Sequence, residues 1–262
     1  MRDGGNVPEN AGDQWFSSAA AVTAPVRLFW FPHSGGNSAV IAGWQSGLGS
    51  TAELRVAQLP GCGPRLIEQP VHDLDYLAAK LAAAVAALAD RKFAFLGHSI
   101  GALLAFEVAR TLRRRGLPQP EWLWACAAEG PSTRRIRRKV AGLPTEEFIE
   151  VLVDLGGTDP EVLAEPELME LLLPGIRANF GLYEGYVYHP EPPLELPIRV
   201  LRGEADHIID GKLAAGWALE TTRPLPERVF SGDHFFLQQH EAEIAQLIAA
   251  EFAADLSACR PA

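Results

Sequence analysis

The sequence predicts an α/β fold in which helices cover both faces of a mostly parallel sheet. Two observations predict this fold class. Short apolar runs rich in β-forming residues alternate with stretches of helical periodicity along most of the chain, as in parallel sheets whose strands are connected by helices. The alternation stops over residues 130–190 and then resumes. We therefore expect a helical lid inserted over the carboxyl ends of the strands, where such sheets bind ligands.

The strands and helices are predicted in order along the chain. Four apolar runs before residue 130 indicate strands, VRLFWF, ELRVAQL, KFAFLG and EWLWACAA, and two more follow the lid, LPIRVLRG and ERVFSG. Apolar residues spaced three and four apart predict an amphipathic helix over 74–88. A second helix follows KFAFLG and ends at Gly116, with three arginines in its last turn, where positive charge is favourable. Helices are also expected over SAVIAGWQSGL, near 211–220 and from about 238 to 254.

The chain is expected to form one domain that carries the lid. Residues 1–24 contain Gly, Pro and Asn and lack periodicity, which predicts a flexible tail before a domain of residues 25–256. Within the lid, at about 130–190, the run PTEE begins a helix that a Gly-Gly pair ends. The short helices after it are expected to be split by Pro160, Pro166 and Pro174.

Composition and charge exclude several classes of function. The chain has 262 residues and a net charge of −10, which disfavours binding to nucleic acid or to an anionic membrane surface. No apolar run approaches the roughly 18 residues of a membrane span. The cysteines are widely separated without metal-ligand spacing, and no signal-peptide pattern is present, so we expect a cytoplasmic protein with free thiols. Nothing in the sequence indicates a metal or a dissociable cofactor.

The pentapeptide GHSIG at 97–101 places Ser99 in the pattern Gly-x-Ser-x-Gly. A predicted strand precedes the motif and a predicted helix follows it, which is the context of a nucleophile elbow, a tight turn that exposes a reactive serine. The flanking glycines allow the strand and the helix to approach closely. The alternative is an ordinary serine that caps the helix, but a cap requires neither the two glycines nor the apolar strand. We predict that Ser99 is a nucleophile.

A serine nucleophile needs a general base, and in this arrangement the chain order is serine, acid, histidine. His234 lies in SGDHFFLQQH between the last strand and the last helix, where its side chain can reach the strand ends. The alternative is a satisfied surface histidine that pairs with the adjacent Asp233. His189 and His240 fit less well as bases, because the first lies in a Pro-rich connection and the second begins or lies within the final helix. We predict that His234 is the base.

Asp206 is the predicted acid of this set. It lies in the loop GEAD directly after the strand LPIRVLRG, where a carboxylate can accept a hydrogen bond from the imidazole and stabilise the cation formed on proton transfer. Asp210 is the rival, but its position fits a cap of the next helix better. Asp233 is too close to His234 in the sequence to reach the far ring nitrogen comfortably.

The negative charge that develops on the substrate needs backbone donors. One is the N–H of Ile100, directly after the nucleophile. The other is expected from the loop FPHSGG after the first strand, with the N–H of Ser34 as the donor. The Gly-Gly pair of this loop alternatively forms no more than a turn, although a turn also permits close backbone approach. Together these features predict a serine hydrolase with an α/β-hydrolase fold.

Several longer stretches point to one family. They are LFWFPHSGG, VAQLPGCGPR, FAFLGHSIGALLAFEVA, the lid stretch LPTEEFIEVLVDLGGTDPEVLAEPELMELLLPGIRANFGLYEGY, the acid loop GEAD, and GDHFFL. On these, across about residues 26–254, the chain resembles the type II thioesterases that accompany polyketide synthases and nonribosomal peptide synthetases. The lid stretch is the most specific, because many α/β-hydrolases share Gly-x-Ser-x-Gly. By position, the family's triad corresponds to Ser99, Asp206 and His234, and its oxyanion hole to Ser34 and Ile100.

The resemblance implies a discrete enzyme that hydrolyses acyl thioesters from the phosphopantetheine arm of carrier proteins and so removes aberrant or stalled acyl groups. It implies an acyl or peptidyl carrier protein as partner and no cofactor, since the pantetheine belongs to the substrate. The chain departs from the family at Ile100, usually methionine, at Asp233, usually glycine, and in GEADHII, where a more acidic run with a proline is usual. GCGPR replaces the commoner Gly-Arg-Glu-x-Arg, retains Arg65, and leaves Cys62 without an inferred role.

The lid and its basic run leave alternatives open. Apolar FIEVLVDL and LMELLL, with Tyr183, Tyr186 and Tyr188, are more typical of lid packing than of ligand contacts. The run RRIRRK at 134–139 is either a solvated charged face or a surface that steers an acidic carrier protein to the active-site mouth. A product-releasing thioesterase or a small-molecule carboxylesterase would use the same residues, and a non-catalytic carrier-binding protein would keep the same fold.

Overall fold

The computed structural model describes residues 14–18, 23–36 and 43–258, and its strands form one sheet. The strands are β1 (Phe16–Ser18), β2 (Val26–Phe31), β3 (Ala52–Ala57), β4 (Lys92–His98), β5 (Leu123–Cys126), β6 (Leu194–Gly203), β7 (Thr221–Pro224) and β8 (Arg228–Phe230). Their order is β1-β3-β2-β4-β5-β6-β7, and β8 also pairs with β6. Strand β1 is antiparallel to β3, whereas the other pairs are parallel.

Helices connect these strands and form the lid. They are α1 (Trp44–Leu48), α2 (Leu74–Ala87), α3 (Ile100–Arg114), α4 (Thr145–Leu155), α5 (Pro160–Leu163), α6 (Pro166–Gly185), α7 (Gly211–Ala214), α8 (Phe236–Gln239) and α9 (Glu241–Ala258), with short 3₁₀ helices at Gly63–Arg65 and Ala215–Leu219. Helices α4 to α6 lie in the segment predicted as a lid. In the described part of the chain, no helix is both long and apolar enough to cross a membrane.

Side chains alternate between the two faces of the sheet, and each face carries its own core. In β2, Phe29 and Phe31 pack with residues of α2 and α3, while Leu28 and Trp30 pack with residues of α1 and α9. This is the period of two expected of a strand. Helices therefore cover both faces, and the predicted fold class is confirmed.

A third apolar cluster belongs to the lid. It is formed by the buried side chains Val140, Phe148, Leu152, Met169, Leu173 and Ile176. Residues of α4 and α6 supply most of it, so the apolar runs of the lid pack mainly against each other. Helix α6 also reaches the sheet, because Leu182 near its end belongs to the same core as Phe29.

Part of the segment predicted as a flexible tail is structured. Phe16 begins β1, pairs with Ala57 of β3, and is fully buried with its ring against those of Phe29 and Phe31, at centroid distances of 4.8 and 5.8 Å. Two adjacent aromatic residues, Trp15 and Phe16, flanked by polar and small residues give no periodicity, so the strand depends on the edge of the sheet that it joins. Residues 1–13 and 19–22 of the predicted tail lie outside the described residues.

Three further elements differ in detail from the sequence prediction. Pro160 and Pro166 stand at the first positions of α5 and α6 and so separate the short helices as expected, but Pro174 lies inside the continuous helix α6. Strand β7 was not predicted, and it forms by pairing with β6 over four residues that include a proline. The final helix is divided into α8 and α9, with His240 between them. In each case a tertiary contact or a local break, rather than the apolar pattern, determines the element.

Candidate active site

Four loops at the carboxyl edge of the sheet carry the predicted site residues. Ser34 follows β2, Ser99 follows β4, Asp206 follows β6 and His234 follows β8. Because the carboxyl ends of parallel strands meet at one edge of a sheet, these loops converge. Ser34, Ser99 and His234 line one cavity of about 290 Å³. Asp206 is buried and hydrogen-bonded to His234.

Ser99 occupies a strained turn between β4 and α3. Its backbone has φ 58° and ψ −122°, a conformation that non-glycine residues rarely adopt. Its N–H donates to the carbonyl of Cys126 at 2.8 Å. A Cβ atom on Gly101 would lie 2.0 Å from the carbonyl oxygen of Phe31, and one on Gly97 would lie 2.4 Å from Cα of Ala102. Ser99 makes no side-chain cap of α3, so the helix-cap interpretation is not supported.

His234 and Asp206 form a buried hydrogen-bonded pair. The distance from Nδ1 of His234 to Oδ2 of Asp206 is 2.9 Å, and Oδ1 of Asp206 accepts from the N–H groups of Ile208 and Ile209 at 2.9 and 3.3 Å. A carboxylate only accepts hydrogen bonds, so Nδ1 carries the proton and Nε2 keeps its lone pair. The pair therefore presents a base with its acceptor nitrogen available to the cavity.

The pKa of Asp206 is set by opposing effects. Burial by itself would raise the pKa of this carboxyl, but the hydrogen bond from His234, the positive charge that His234 carries when protonated, and the N–H groups of Ile208 and Ile209 lower it below its usual value. Asp206 is therefore ionised at neutral pH. A buried carboxylate in this position can stabilise an imidazolium on His234.

Two backbone amides border the cavity where the oxyanion donors were predicted. Ile100 is the first residue of α3, and the first N–H groups of a helix have no partner within it and lie at the positive end of its dipole. Ser34 lies in the turn closed by the hydrogen bond from Gly36 N–H to the His33 carbonyl, at 2.9 Å. The hydroxyl of Ser34 donates to the carbonyl of Ile176 in α6 at 3.2 Å, which ties this loop to the lid.

Two histidines that sequence reasoning did not assign support these loops. His98 Nε2 lies 2.9 Å from the carbonyl oxygen of His234, and His33 Nδ1 lies 3.0 Å from that of Ser34. In each case the ring N–H donates to the carbonyl. Both histidines are buried and their rings are 5.1 Å apart. Each histidine directly precedes a predicted site serine, in FPHSGG and in GHSIG. This adjacency is the one feature of the sequence that could have pointed to them.

Burial keeps both supporting histidines neutral. It lowers the pKa of His33 to about 4, with a smaller contribution in the same direction from His234 and an opposing one from the hydrogen bond to Ser34. It also lowers the pKa of His98 well below the usual value, and a positive charge on His33 or His234 would act in the same direction. Neither residue is therefore charged at neutral pH.

Phe235 connects the histidine loop to the lid. Its ring lies 5.1 to 5.7 Å from the rings of His33, His98 and His234. A Cβ atom on Gly157, in the loop after α4, would lie 2.1 Å from the far edge of the Phe235 ring. The lid therefore contacts the side chain of the residue that follows the candidate base in the sequence.

The rival residues have other partners. Asp210 caps α7 by accepting from the N–H of Lys212 at 2.8 Å, as proposed. Asp233 is exposed and accepts from the N–H of Phe235 at 2.8 Å. His240 lies 3.0 Å from Glu243, and His189 is exposed. These contacts leave Asp206 and His234 as the pair at the cavity.

Cys62 lies between the Ser34 loop and the lid. Its sulfur accepts a hydrogen bond from Nδ2 of Asn179 in α6 at 3.5 Å. Burial raises the pKa of the thiol, and the hydrogen bonds from Asn179 and from the N–H of Gly35 oppose the shift without reversing it. The thiol is therefore protonated at neutral pH, and its role in the structure is to pack these two elements together.

The cavity is mainly apolar beyond the polar residues at its base. Apolar side chains from the lid and from the loop after β6 line it, among them Val151, Leu152, Leu155, Ile176, Phe180, Ile208 and Ile209. Tyr183 also borders it, whereas the hydroxyls of Tyr186 and Tyr188 donate to Glu107 and Glu220 at 2.7 and 3.0 Å. Such a surface suits an apolar group held next to a reacting centre.

Comparisons with known proteins give consistent matches. Residues 26–252 match the thioesterase domain family. The gramicidin S biosynthesis protein GrsT of Aneurinibacillus migulanus is 33% identical over 237 residues, which cover 90% of this chain and 93% of GrsT. RedJ, a thioesterase from the prodiginine pathway of Streptomyces coelicolor, has a TM-score of 0.82 and 35% identity, covering 89% of this chain and 94% of its own. BorB, the type II thioesterase from the borrelidin cluster, has a TM-score of 0.83 and 32% identity, and the match covers 94% of this chain and 100% of BorB.

Proposed function

The chain belongs to the thioesterase family, as its motifs predicted, and on that premise we propose that it is a discrete serine thioesterase acting on carrier proteins. It hydrolyses acyl thioesters from their phosphopantetheine arm and removes aberrant or stalled acyl groups in polyketide or nonribosomal peptide biosynthesis. The observation that carries this proposal is the Asp206–His234 pair on the same lid-covered apolar cavity as the strained Ser99. The relation to a type II thioesterase of a biosynthetic cluster supports the editing role.

The proposed reaction begins at Ser99. Its Oγ attacks the thioester carbonyl carbon as His234 Nε2 takes the hydroxyl proton, and the N–H groups of Ser34 and Ile100 hold the oxyanion. The C–S bond then breaks, and the departing thiolate takes the proton from His234. The acyl group stays on Ser99 as an ester. Asp206 holds the imidazole in its tautomer and stabilises the transient cation.

Water completes the cycle. His234 removes a proton from a water molecule as its oxygen attacks the ester carbonyl, and it returns that proton to Ser99 Oγ when the C–O bond breaks. The carboxylic acid leaves and the free serine is restored. The residues and the proton return to their starting state, so no redox partner or metal is needed in this scheme.

Replacement of the nucleophile and the acid tests this proposal. On an acylated carrier protein, Ser99→Ala should abolish acid release, and Asp206→Asn should lower kcat by about 10⁴-fold because the imidazole loses its tautomer. The matched controls are Ser132→Ala and Asp210→Asn, since Ser132 is exposed and Asp210 caps a helix. Free acid is measured by mass spectrometry. Full turnover by Ser99→Ala would overturn the mechanism.

A substrate panel separates editing from its alternatives. We expect the wild-type protein to hydrolyse several short acyl groups from carrier proteins faster than one full-length product thioester or oxygen esters of the same acids. A strong preference for a single long product would instead indicate a product-releasing thioesterase. A preference for oxygen esters would indicate a carboxylesterase.

A further inference from the structure

The arginines of the basic run at 134–139 are of two kinds, and Arg134 and Arg137 are those whose side chains bind other residues of the protein. The guanidinium of Arg134 lies 4.1 Å from the ring centroid of Tyr183 and donates to the carbonyls of Tyr183 and Tyr186. The guanidinium of Arg137 pairs with the buried Glu129 at 2.7 Å and donates to the carbonyl of Ile208 at 3.1 Å. These two side chains hold the segment in place.

Arg135 and Arg138 are placed differently. Both are exposed, and both line the cavity that contains Ser99 and His234. A residue that is exposed and also lines a cavity lies at its rim. In the part of the chain that the structure describes, neither guanidinium has a carboxylate within ion-pair distance. Their charges are therefore available to a bound molecule.

The charge at this cavity is opposite to that of the whole protein. Arg135, Arg137 and Arg138 line it together with one carboxylate, Glu184, among the described lining residues. Oε1 of Glu184 accepts from the N–H of Ala141 at 3.0 Å and from that of Val140, so this carboxylate is directed at the lid backbone. A positive rim on a protein of net charge −10 favours an anionic ligand group at that place.

We propose that Arg135 and Arg138 bind the phosphate of the phosphopantetheine arm while its thioester lies at Ser99. This inference rests on the proposed function. The arm enters from the rim, so its thioester end reaches the apolar interior and its phosphate end, which is joined to the carrier, stays near the opening. Guanidinium groups match phosphate oxygens by paired, charge-assisted hydrogen bonds. An acidic surface of the carrier is a different ligand for the same charges, and the experiment separates the two.

The experiment compares three thioesters of one acyl group, carried by pantetheine, by phosphopantetheine and by a carrier protein. With Arg135→Ala/Arg138→Ala, we expect KM for the phosphopantetheine and carrier thioesters to rise about tenfold, as for the loss of a hydrogen bond to a charged group. We expect kcat to stay unchanged for both, and the pantetheine thioester to show no effect. Lys139→Ala is the control, because Lys139 is exposed in the same run but does not line the cavity.

A second variant tests the geometry of the contact. Arg135→Lys/Arg138→Lys keeps the charge but loses the paired donors, so it should recover only part of the affinity. The midpoint of urea unfolding for each variant reports whether the fold is intact.

Each contrary result has a distinct meaning. An equal rise in KM for pantetheine and phosphopantetheine thioesters, or the same effect from Lys139→Ala, overturns the phosphate site. A rise confined to the carrier-bound substrate also overturns it and assigns the rim to the carrier's protein surface. Failure of the wild-type protein to hydrolyse all three thioesters would contradict the proposed function itself, and the present inference with it.

Discussion

His33 and His98 lie beside the candidate nucleophile and base, and each donates a ring N–H to a backbone carbonyl. The acceptors are the carbonyls of Ser34 and His234, so both histidines position loops of the site. An imidazolium in either place would lose its hydration and lie close to His234. The neutral state of these two rings is therefore part of the folded site, and acid should act on it.

Acid should destabilise the protein in a defined range of pH. Below the usual histidine pKa of about 6.5 the unfolded chain binds a proton at residue 33, whereas the folded protein does not until its pKa of about 4. The unfolded state then binds more protons, so the free energy of unfolding falls as the pH drops from about 6.5 to about 4, by about 1.4 kcal/mol per pH unit for this residue. His98 acts in the same direction. The lowered pKa of Asp206 matters only below the usual aspartate pKa, outside this range.

His33→Asn isolates this contribution. Asparagine keeps a donor near the position of Nδ1 and does not titrate, so the slope of unfolding free energy against pH should decrease by about 1.4 kcal/mol per unit between about pH 4 and 6.5. Urea unfolding at several pH values measures it. His72→Asn, at an exposed position, should leave the slope as it is in the wild type. An unchanged slope in His33→Asn would show that His33 is not protected from protonation.

Individual site residues differ in how far the sequence predicts them. Ser99, Asp206 and His234 stand in short motifs whose order along the chain follows from the fold, so the sequence alone predicts the pair at 206 and 234. The hydrogen bond from His98 to the backbone of His234 joins positions 136 residues apart. No local pattern encodes such a contact, because it depends on how two loops of the finished sheet meet.

At the scale of elements, the turn from β4 into α3 determines where the nucleophile stands. The helix passes directly under the end of β2, where a Cβ on Gly101 would lie 2.0 Å from the Phe31 carbonyl oxygen and 2.5 Å from that of Pro32. Phe31 ends β2, and Pro32 begins the loop that carries Ser34. The packing of one helix turn therefore places both Ser99 and its predicted oxyanion donor.

Gly101→Ala should disturb stability and catalysis together. The added methyl group must displace backbone, so we expect the free energy of unfolding to fall by about 1–3 kcal/mol or more. The Ser34 loop would shift, and kcat should fall with it. Gly142→Ala is the matched control, since a Cβ there meets nothing within 4 Å. Urea unfolding and acid release are measured for both variants, and equal behaviour of the two would contradict the close approach.

Elements with a strong apolar period were predictable, and those held by their neighbours were not. Helices α2 and α3 and strands β2 to β6 were expected near their observed positions. Strands β1 and β7 are three and four residues long and exist by pairing with β3 and β6. Helix α6 continues through Pro174, although a proline inside a helix costs about 3 kcal/mol. Leu173 and Ile176, on either side of Pro174, are buried in the lid core, and such packing of an apolar face favours the continuous helix.

At the scale of the whole molecule, the lid is joined to the sheet through α6. Ser34 Oγ donates to the Ile176 carbonyl, Asn179 donates to Cys62, and a Cβ on Gly175 would lie 2.0 Å from the carbonyl oxygen of Gly61. Helix α4 places its buried side chains in the lid core, where the Phe148 ring lies 5.5 Å from that of Phe180 in α6. Local opening follows the division between apolar cores, so α4 and α5 should open more easily than α6.

Hydrogen exchange on two matched variants tests this division. Phe148 and Phe95 are both fully buried, the first in the lid core and the second in the sheet core, and each substitution by alanine should cost about 3–5 kcal/mol locally. Phe148→Ala should speed amide exchange in α4 and α5 and leave β4 and α3 protected, whereas Phe95→Ala should speed exchange throughout. Because α4 supplies Val151 and Leu152 to the cavity wall, Phe148→Ala should also raise KM for apolar acyl substrates while retaining Ser99 chemistry. Faster exchange of β4 in Phe148→Ala, equal to that of α4, would mean that lid and sheet unfold as one unit and that the cavity does not open through α4.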